Sequence, residues 1–143
     1  MIGLDLALSL RAAGLRWTPR LGDRFVLPNR GMDDEVFVLS NMTVDVHEFP
    51  TGKVIGFNGV TEWALDSIDQ QEALWMPAEH QLRELLGGLF VSLASEPAGF
   101  EVTLHLPSGR TTYRASTAED AYGHALLAVL REVTGTLAQP TVR

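Results

Sequence analysis

Two stretches, VHEFPTGKVIGF (46–57) and VTLHLPSGRTTY (102–113), share the pattern apolar-Pro-[Ser/Thr]-Gly-[Lys/Arg]. No other feature constrains the fold as strongly. Proline pre-sets φ at the first turn residue and glycine supplies a positive φ, so each stretch reads as a hairpin closed by a three-residue loop and a G1 bulge. Strands joined by so tight a turn are antiparallel neighbours. The strands flanking the two turns do not match one another, so the likeness is one of turn chemistry and not of duplication.

Around the hairpins the spacing of apolar residues turns helical. Leu4 to Ala13 suits a short helix, with Gly14 at the left-handed position of a Schellman close and Leu15 folding back on Leu10. RWTPRLGDRFVLPNRG is punctuated by Pro19, Gly22, Pro28 and Gly31, leaving a short strand at Arg24–Leu27. MDDE then reads as a polar loop before the strand-like run VFVLS. VTEWALDSIDQQEALWM (60–76) fits a strand and loop or a short helix, and periodicity does not choose between them. From Pro77, Leu82, Leu85, Leu86, Leu89, Phe90 and Leu93 form one helical stripe, with Gly87-Gly88 demanding close backbone packing or an early end. In the last helix Ser116 and Glu119 fit a capping box. Tyr122, Ala125, Leu126, Val129, Leu130 and Val133 make its buried face, and Gly135 ends it.

Strands are thus grouped and do not alternate singly with helices. The expected class is α+β, a small, mostly antiparallel sheet with about three helices packed on it. A chain of 143 residues fits one domain, here 1–135 with a tail at 136–143.

Composition narrows the chemistry. With no cysteine there is no disulfide, thiolate nucleophile or thiolate metal site. Neither a Gly-x-x-x-x-Gly-Lys-[Ser/Thr] loop nor Gly-x-Gly-x-x-Gly occurs, and no Gly-x-Ser-x-Gly elbow is present, so no cofactor is expected. Eleven basic against eighteen acidic residues give a net charge of −7, which disfavours a general nucleic-acid binder. The exception is the segment Arg11–Arg30, where Arg11, Arg16, Arg20, Arg24 and Arg30 share the stretch with one acid, Asp23. Interleaved with Trp17 and Phe25, these arginines could meet an anion or a single strand. MIGLDLALSLRAAG is apolar but broken by Asp5 and far short of a membrane span. It reads as a buried helix of a cytoplasmic protein.

The one polar grouping with catalytic potential lies in NMTVDVHEF. In a strand, Asp45 and His47 share a face with Thr43, opposite Met42, Val44 and Val46. Two ligands fall short of a stable metal site, which needs at least one more, so the plain reading is the wet face of a hairpin. A three-residue loop would set His47 opposite Ile55 and Asp45 opposite Phe57. A four-residue loop would set Val46 opposite Phe57 and keep the faces apart. His80, His105 and His124 are scattered and read as solvent-facing, and Asp33-Asp34-Glu35 as a solvated loop. Trp17, Trp63 and Trp75 are candidates for an interaction surface, because tryptophan is enriched at interface centres.

RWTPRLGDRFVLPNR, DDEVFVLSNMTVDVHEFPTGKVIGFNGVTEWALDS and EALWMPAEHQLRELLGG resemble a family of short actinobacterial proteins whose members often carry the label "pilus assembly protein CpaE". The likeness covers Leu4 to Leu93. Beyond that it is one of layout, ending in the closing helix AYGHALLAVL, and a similar layout occurs in small phage-derived proteins. The proteins for which the pilus name was coined resemble large ParA-like ATPases with a phosphate loop that this chain lacks. The resemblance therefore implies no ATPase activity and no assigned functional residues. The resulting expectation is a small acidic protein that acts by binding another protein or itself, in the latter case as a homodimer. A metal-dependent hydrolase centred on Asp45 and His47 is the first alternative, and a nucleic-acid-associated factor using Arg11–Arg30 the second.

Overall fold

The computed structural model describes residues 1–28, 32–39, 44–49, 52–57, 68–69 and 72–138, of which 32–34, 44–49, 52–57, 68–69 and 134–138 are described by backbone alone. In chain order the elements are α1 (Leu4–Ala12), β1 (Arg24–Leu27), β2 (Met32–Val38), β3 (Val44–Phe49), β4 (Gly52–Phe57), β5 (Ile68–Asp69), β6 (Leu74–Trp75), α2 (Glu79–Leu86), β7 (Phe90–Glu96), β8 (Gly99–Leu106), β9 (Gly109–Ala115) and α3 (Ala118–Ala138). The class is α+β and every strand pairing is antiparallel. The described strands form three three-stranded sheets where a single sheet was expected: β2-β1-β6, β3-β4-β5 and β7-β8-β9. The chain divides into two compact units, the first Met1–Arg16 with Pro77–Arg143, the second Trp17–Met76.

In the first unit α1 ends as its sequence demands. Gly14 sits at φ +108, its N–H donates to the Arg11 carbonyl, and the Leu15 N–H donates to that of Leu10. These are the two bonds of a Schellman motif. Helix α2 is shorter than its apolar stripe suggests. It stops at Leu86, Gly87 takes φ +55, a single 3-10 turn follows, and Phe90 and Leu93 belong to β7. Leu82 and Leu86 are buried, whereas Leu85 is 45% exposed and does not join the core. The reason lies downstream, in Glu96-Pro97-Ala98-Gly99. This is a third turn of the Pro-x-Gly kind, and it makes β7 and β8 a hairpin.

All three Pro-x-Gly turns share one register, a residue tighter than expected. Glu96 pairs with Gly99, Leu106 with Gly109 and Phe49 with Gly52, so two residues separate each closing pair. Proline forbids the positive φ that two-residue hairpin turns favour at their first position. The glycine that follows takes up the twist instead, at φ +148 in Gly99 and +123 in Gly109. Strand β8 then alternates, with Val102, Leu104 and Leu106 buried and His105 exposed.

Helix α3 packs on β8, β9, α1 and α2. It is therefore buried on more than one side through its middle, at Ala121, Tyr122, Gly123, Ala125, Leu126 and Leu127, with His124 exposed. Thr117, one residue after the expected Ser116, caps it, its hydroxyl accepting the Asp120 N–H at 3.2 Å. The Asp120 carboxylate in turn accepts the Gly3 N–H at 2.8 Å. The helix passes Gly135 and reaches Ala138, into the expected tail, because one interior glycine costs only about 1 kcal/mol against a long helical run. Val133 is 53% exposed, so the buried face ends earlier than its periodicity suggests.

In the second unit β1 is the central strand of its sheet, and Phe25, Val26 and Leu27 are buried. Phe25 lies between Trp17 and Phe37, each ring 5.5 Å away. Met32–Glu35, expected as a loop, is the start of β2. The register with β1 slips there, between the Phe25–Phe37 and Leu27–Met32 pairs. In β3-β4, Val44 opposes Phe57 and Val46 opposes Ile55, which keeps the apolar pairs together. The ambiguous 60–76 segment contains two short strands, β5 and β6, and residues 60–67, 70 and 71 lie outside the described set.

Candidate functional site

The first candidate pair lies in the second unit. Asp45 is placed opposite Gly56 and His47 opposite Val54, in a register that neither the three- nor the four-residue loop would give. Val54 is also opposite Asp69 of β5, so His47, Val54 and Asp69 form one row across the sheet. The Asp45, His47 and Asp69 side chains lie outside the described set. Among the described residues no three His, Asp or Glu side chains are grouped to hold a metal ion.

The tryptophans have separate fates. Trp17 is half-buried in the aromatic cluster, its indole N–H donating to Asp23 Oδ2 at 2.9 Å. The same carboxylate oxygen accepts the Arg20 backbone N–H at 2.9 Å, so buried Asp23 organises the chain entering β1. Trp75 is half-buried in β6 opposite Phe25, and its buried indole N–H meets no acceptor among the described residues. Trp63 lies outside the described residues. The early arginines are divided as well. Arg11 and Arg16 belong to the first unit and Arg20 and Arg24 to the second, while Arg30 lies outside the described residues.

A different set of side chains converges in the first unit. Strand β9 is the last strand of its sheet, and among the described residues nothing pairs with its far edge. Its alternate N–H and C=O groups therefore point away from β8 unpaired. Beside it lies an open groove of ≈ 430 Å³ lined by Thr112, Tyr113 and Arg114 from β9 and by His124, Leu127, Ala128 and Arg131 from α3. Thr112 and Arg114 share the outer face of the sheet with Thr103 and Glu101, whereas Tyr113 is on the face with buried Val102. Residues from both faces of one strand can line a single groove with a helix only if it runs along the strand's edge. The helix contributes positions i, i+3, i+4 and i+7, a single stripe along its surface.

Comparison with protein-family models, curated proteins and solved structures finds no match.

Of the seven lining residues two are arginines and one is a histidine, and none is acidic. Arg114 is already engaged, its Nε 2.7 Å from Glu101 Oε2 and 3.7 Å from Glu96 Oε2 on the outer face. The Arg114 hydrogen bond, and secondarily one with Glu96, hold the Glu101 carboxyl below its ordinary pKa. Arg131 and His124 are exposed and, among the described residues, carry no ion pair. Burial, and then the charge of Glu132, raise the Tyr113 hydroxyl pKa, so it remains a donor. The groove thus presents the Tyr113 hydroxyl, His124 and Arg131 beside a strand edge that nothing pairs with among the described residues. In the sequence His124 stands as a lone exposed histidine and nothing marks Arg131. The signal that could have found them is the 124-127-128-131 stripe following an edge strand. Among the described residues no helix is long and apolar enough to cross a membrane.

Proposed function

We propose that this chain is a protein-binding module that engages a partner, or a second copy of itself, along the β9 edge and the groove beside α3. The observation that carries the reading is the β9 edge, unpaired among the described residues and flanked by the exposed side chains of Arg131 and His124. An exposed edge is a template for another strand, and proteins that keep one for binding set pockets beside it for alternate side chains. The ionisable residues of the groove are two arginines, a histidine and a protonated tyrosine, with no carboxylate as base and no activated nucleophile. That supports recognition over turnover. The implied family resemblance assigns no catalytic residue and fits the same role. The test is a photo-crosslinking residue at Thr112 in the native host, with the same label at exposed Glu84 of α2 as control. A discrete protein adduct from Thr112 alone is expected; equal labelling from both positions, or none, defeats the reading.

A second reading is favoured by the register of β3-β4-β5. His47 and Asp69 lie in one row about 10 Å apart across β4, with Asp45 two rows away. A divalent metal bound there would support hydrolytic chemistry centred on Asp45 and His47. Zinc or manganese titration by calorimetry tests it, with heat that vanishes in both His47→Ala and Asp69→Asn expected. Heat unchanged by these substitutions, or no heat, removes it.

A further inference from the structure

We infer that this chain forms a homodimer through β7, the other outer strand of the first unit's sheet, which pairs antiparallel with β7 of a second copy about a two-fold axis at Ala94. This surface is separate from the β9–α3 groove and does not depend on the role proposed there. Among the described residues nothing pairs with the outer edge of β7. Proteins blunt such edges with charge, proline or bulges. Strand β9 carries Arg110 and Arg114. In β7 a bulge occupies the start, between Phe90 and Ser92, but the regular stretch Ser92–Ser95 that follows has neither charge nor proline.

The register decides which backbone groups are free. Glu96–Gly99 closes the β7–β8 hairpin, so that pair and every second pair before it bond across to β8. The N–H and C=O of Ser95 and Leu93, in the intervening pairs, point the other way. A two-fold axis at Ala94 sets Leu93 against Ser95 of the copy, and Ser95 against its Leu93. Each of these pairs exchanges two N–H···O bonds. Between them Ala94 meets Ala94 in a non-hydrogen-bonded pair, where side chains come closest and a methyl group fits. Ser92 meets Glu96, so no like charges are opposed.

The surface around the edge matches the same axis. Val91 is 38% exposed, and Pro97 and Ala98 at the hairpin turn are exposed too. The axis brings Val91 up to the Pro97-Ala98 turn of the copy, apolar on apolar, twice. Gly88 is exposed, its φ is not positive and a Cβ there would meet nothing, so the fold itself gives no reason for glycine. Its bare backbone, two residues before β7, leaves room for the approaching turn. Symmetric pairing over the whole of β9 would instead centre on Thr112 and oppose Arg110 to Arg114 twice, so self-association is assigned to β7.

So short an edge gives an interface of the small class, below about 1,200 Å², and a weak dimer. Sedimentation velocity of the full chain from about 10 µM to about 1 mM should show a reversible monomer–dimer equilibrium. Ala94→Lys and Ala94→Glu, at an exposed position, each set like charges on the axis and should weaken the dimer about tenfold or more, while their equimolar mixture restores it. Far-UV circular dichroism establishes that both variants are folded. Thr112→Lys, on β9, should leave the dimer unchanged. Amide exchange at Leu93 and Ser95 should slow as concentration rises, with that of Ala94, already bonded to β8, unaltered. A chain that stays monomeric throughout, or a dimer that both Ala94 variants retain, overturns the inference. Dimer lost in Thr112→Lys but kept in the Ala94 variants moves the interface to β9 and overturns it as well. A mass that grows past the dimer would mean open pairing of β7 with β9, which is equally fatal.

Discussion

Gly99 and Gly109 close two hairpins with the same turn chemistry, yet their surroundings differ. A Cβ at Gly99 would collide with the Ala115 carbonyl oxygen and press on Ser116 Cα, both backbone atoms that cannot yield. One at Gly109 meets nothing, so only its backbone conformation resists substitution. Gly99→Ala should therefore cost about 2–4 kcal/mol and Gly109→Ala about 1 kcal/mol, as measured by urea unfolding. Equal losses would show that the turn alone, and not the approach of β9, requires glycine at 99. The outer-face carboxyl adds a pH-dependent contribution. Glu101 has a folded pKa below its unfolded one, so its stabilisation is present above the unfolded value and lost as pH falls through the folded value. The stability difference between the native chain and Glu101→Gln should shrink steadily as denaturant melts are taken from neutral pH down through the carboxylate range. A difference independent of pH would mean that the Arg114 hydrogen bond is not formed in solution.

Helix α2 shows where reading by period succeeds and where it fails. Leu82, Leu85, Leu86, Leu89, Phe90 and Leu93 keep helical spacing, but that spacing runs straight through a helix end and into a strand. Phe90 and Leu93 meet the core from β7 because the strand bulges between Phe90 and Ser92, which lets residues three apart share a face. A bulge has no signature in hydrophobic spacing. The Gly87-Gly88 pair and the third Pro-x-Gly turn did carry the information. The Schellman close of α1, strand β1 and the second hairpin were legible because each rests on local backbone chemistry. Whether an apolar residue on a short helix is buried depends on neighbours distant in sequence. Leu82→Ala should accordingly cost about 2–4 kcal/mol, and Leu85→Ala less than about 0.5 kcal/mol. Similar losses at the two positions would restore the continuous stripe.

At the scale of the whole chain, the order of elements gave the α+β class but not its partition into two units, because nothing in the composition changes at Arg16 or Met76. The groove was illegible for the same reason. Thr112–Arg114 and His124–Arg131 are unremarkable alone and become a site only when α3 is laid beside the last strand of its sheet. The division has a consequence for folding. The first unit is made of two chain segments, and they are tied to each other directly. The Gly3 N–H bonds to Asp120, and a Cβ on Gly123 would lie 2.6 Å from Leu6 Cδ2, so α1 sits close against α3. Its buried side chains, Leu10, Leu82, Leu104 and Tyr122 among them, all come from these two segments. Replacing residues 17–76 by a Gly/Ser linker of about twenty residues, with an r.m.s. reach of about 25 Å, should leave a chain that still unfolds cooperatively. Thermal melts followed by circular dichroism, with amide exchange in β8, test this. Protected β8 amides and a single sharp transition are expected. Loss of both would mean that the first unit cannot hold its fold without residues 17–76, and that the Gly3–Asp120 and Leu6–Gly123 contacts are too weak to join its two segments.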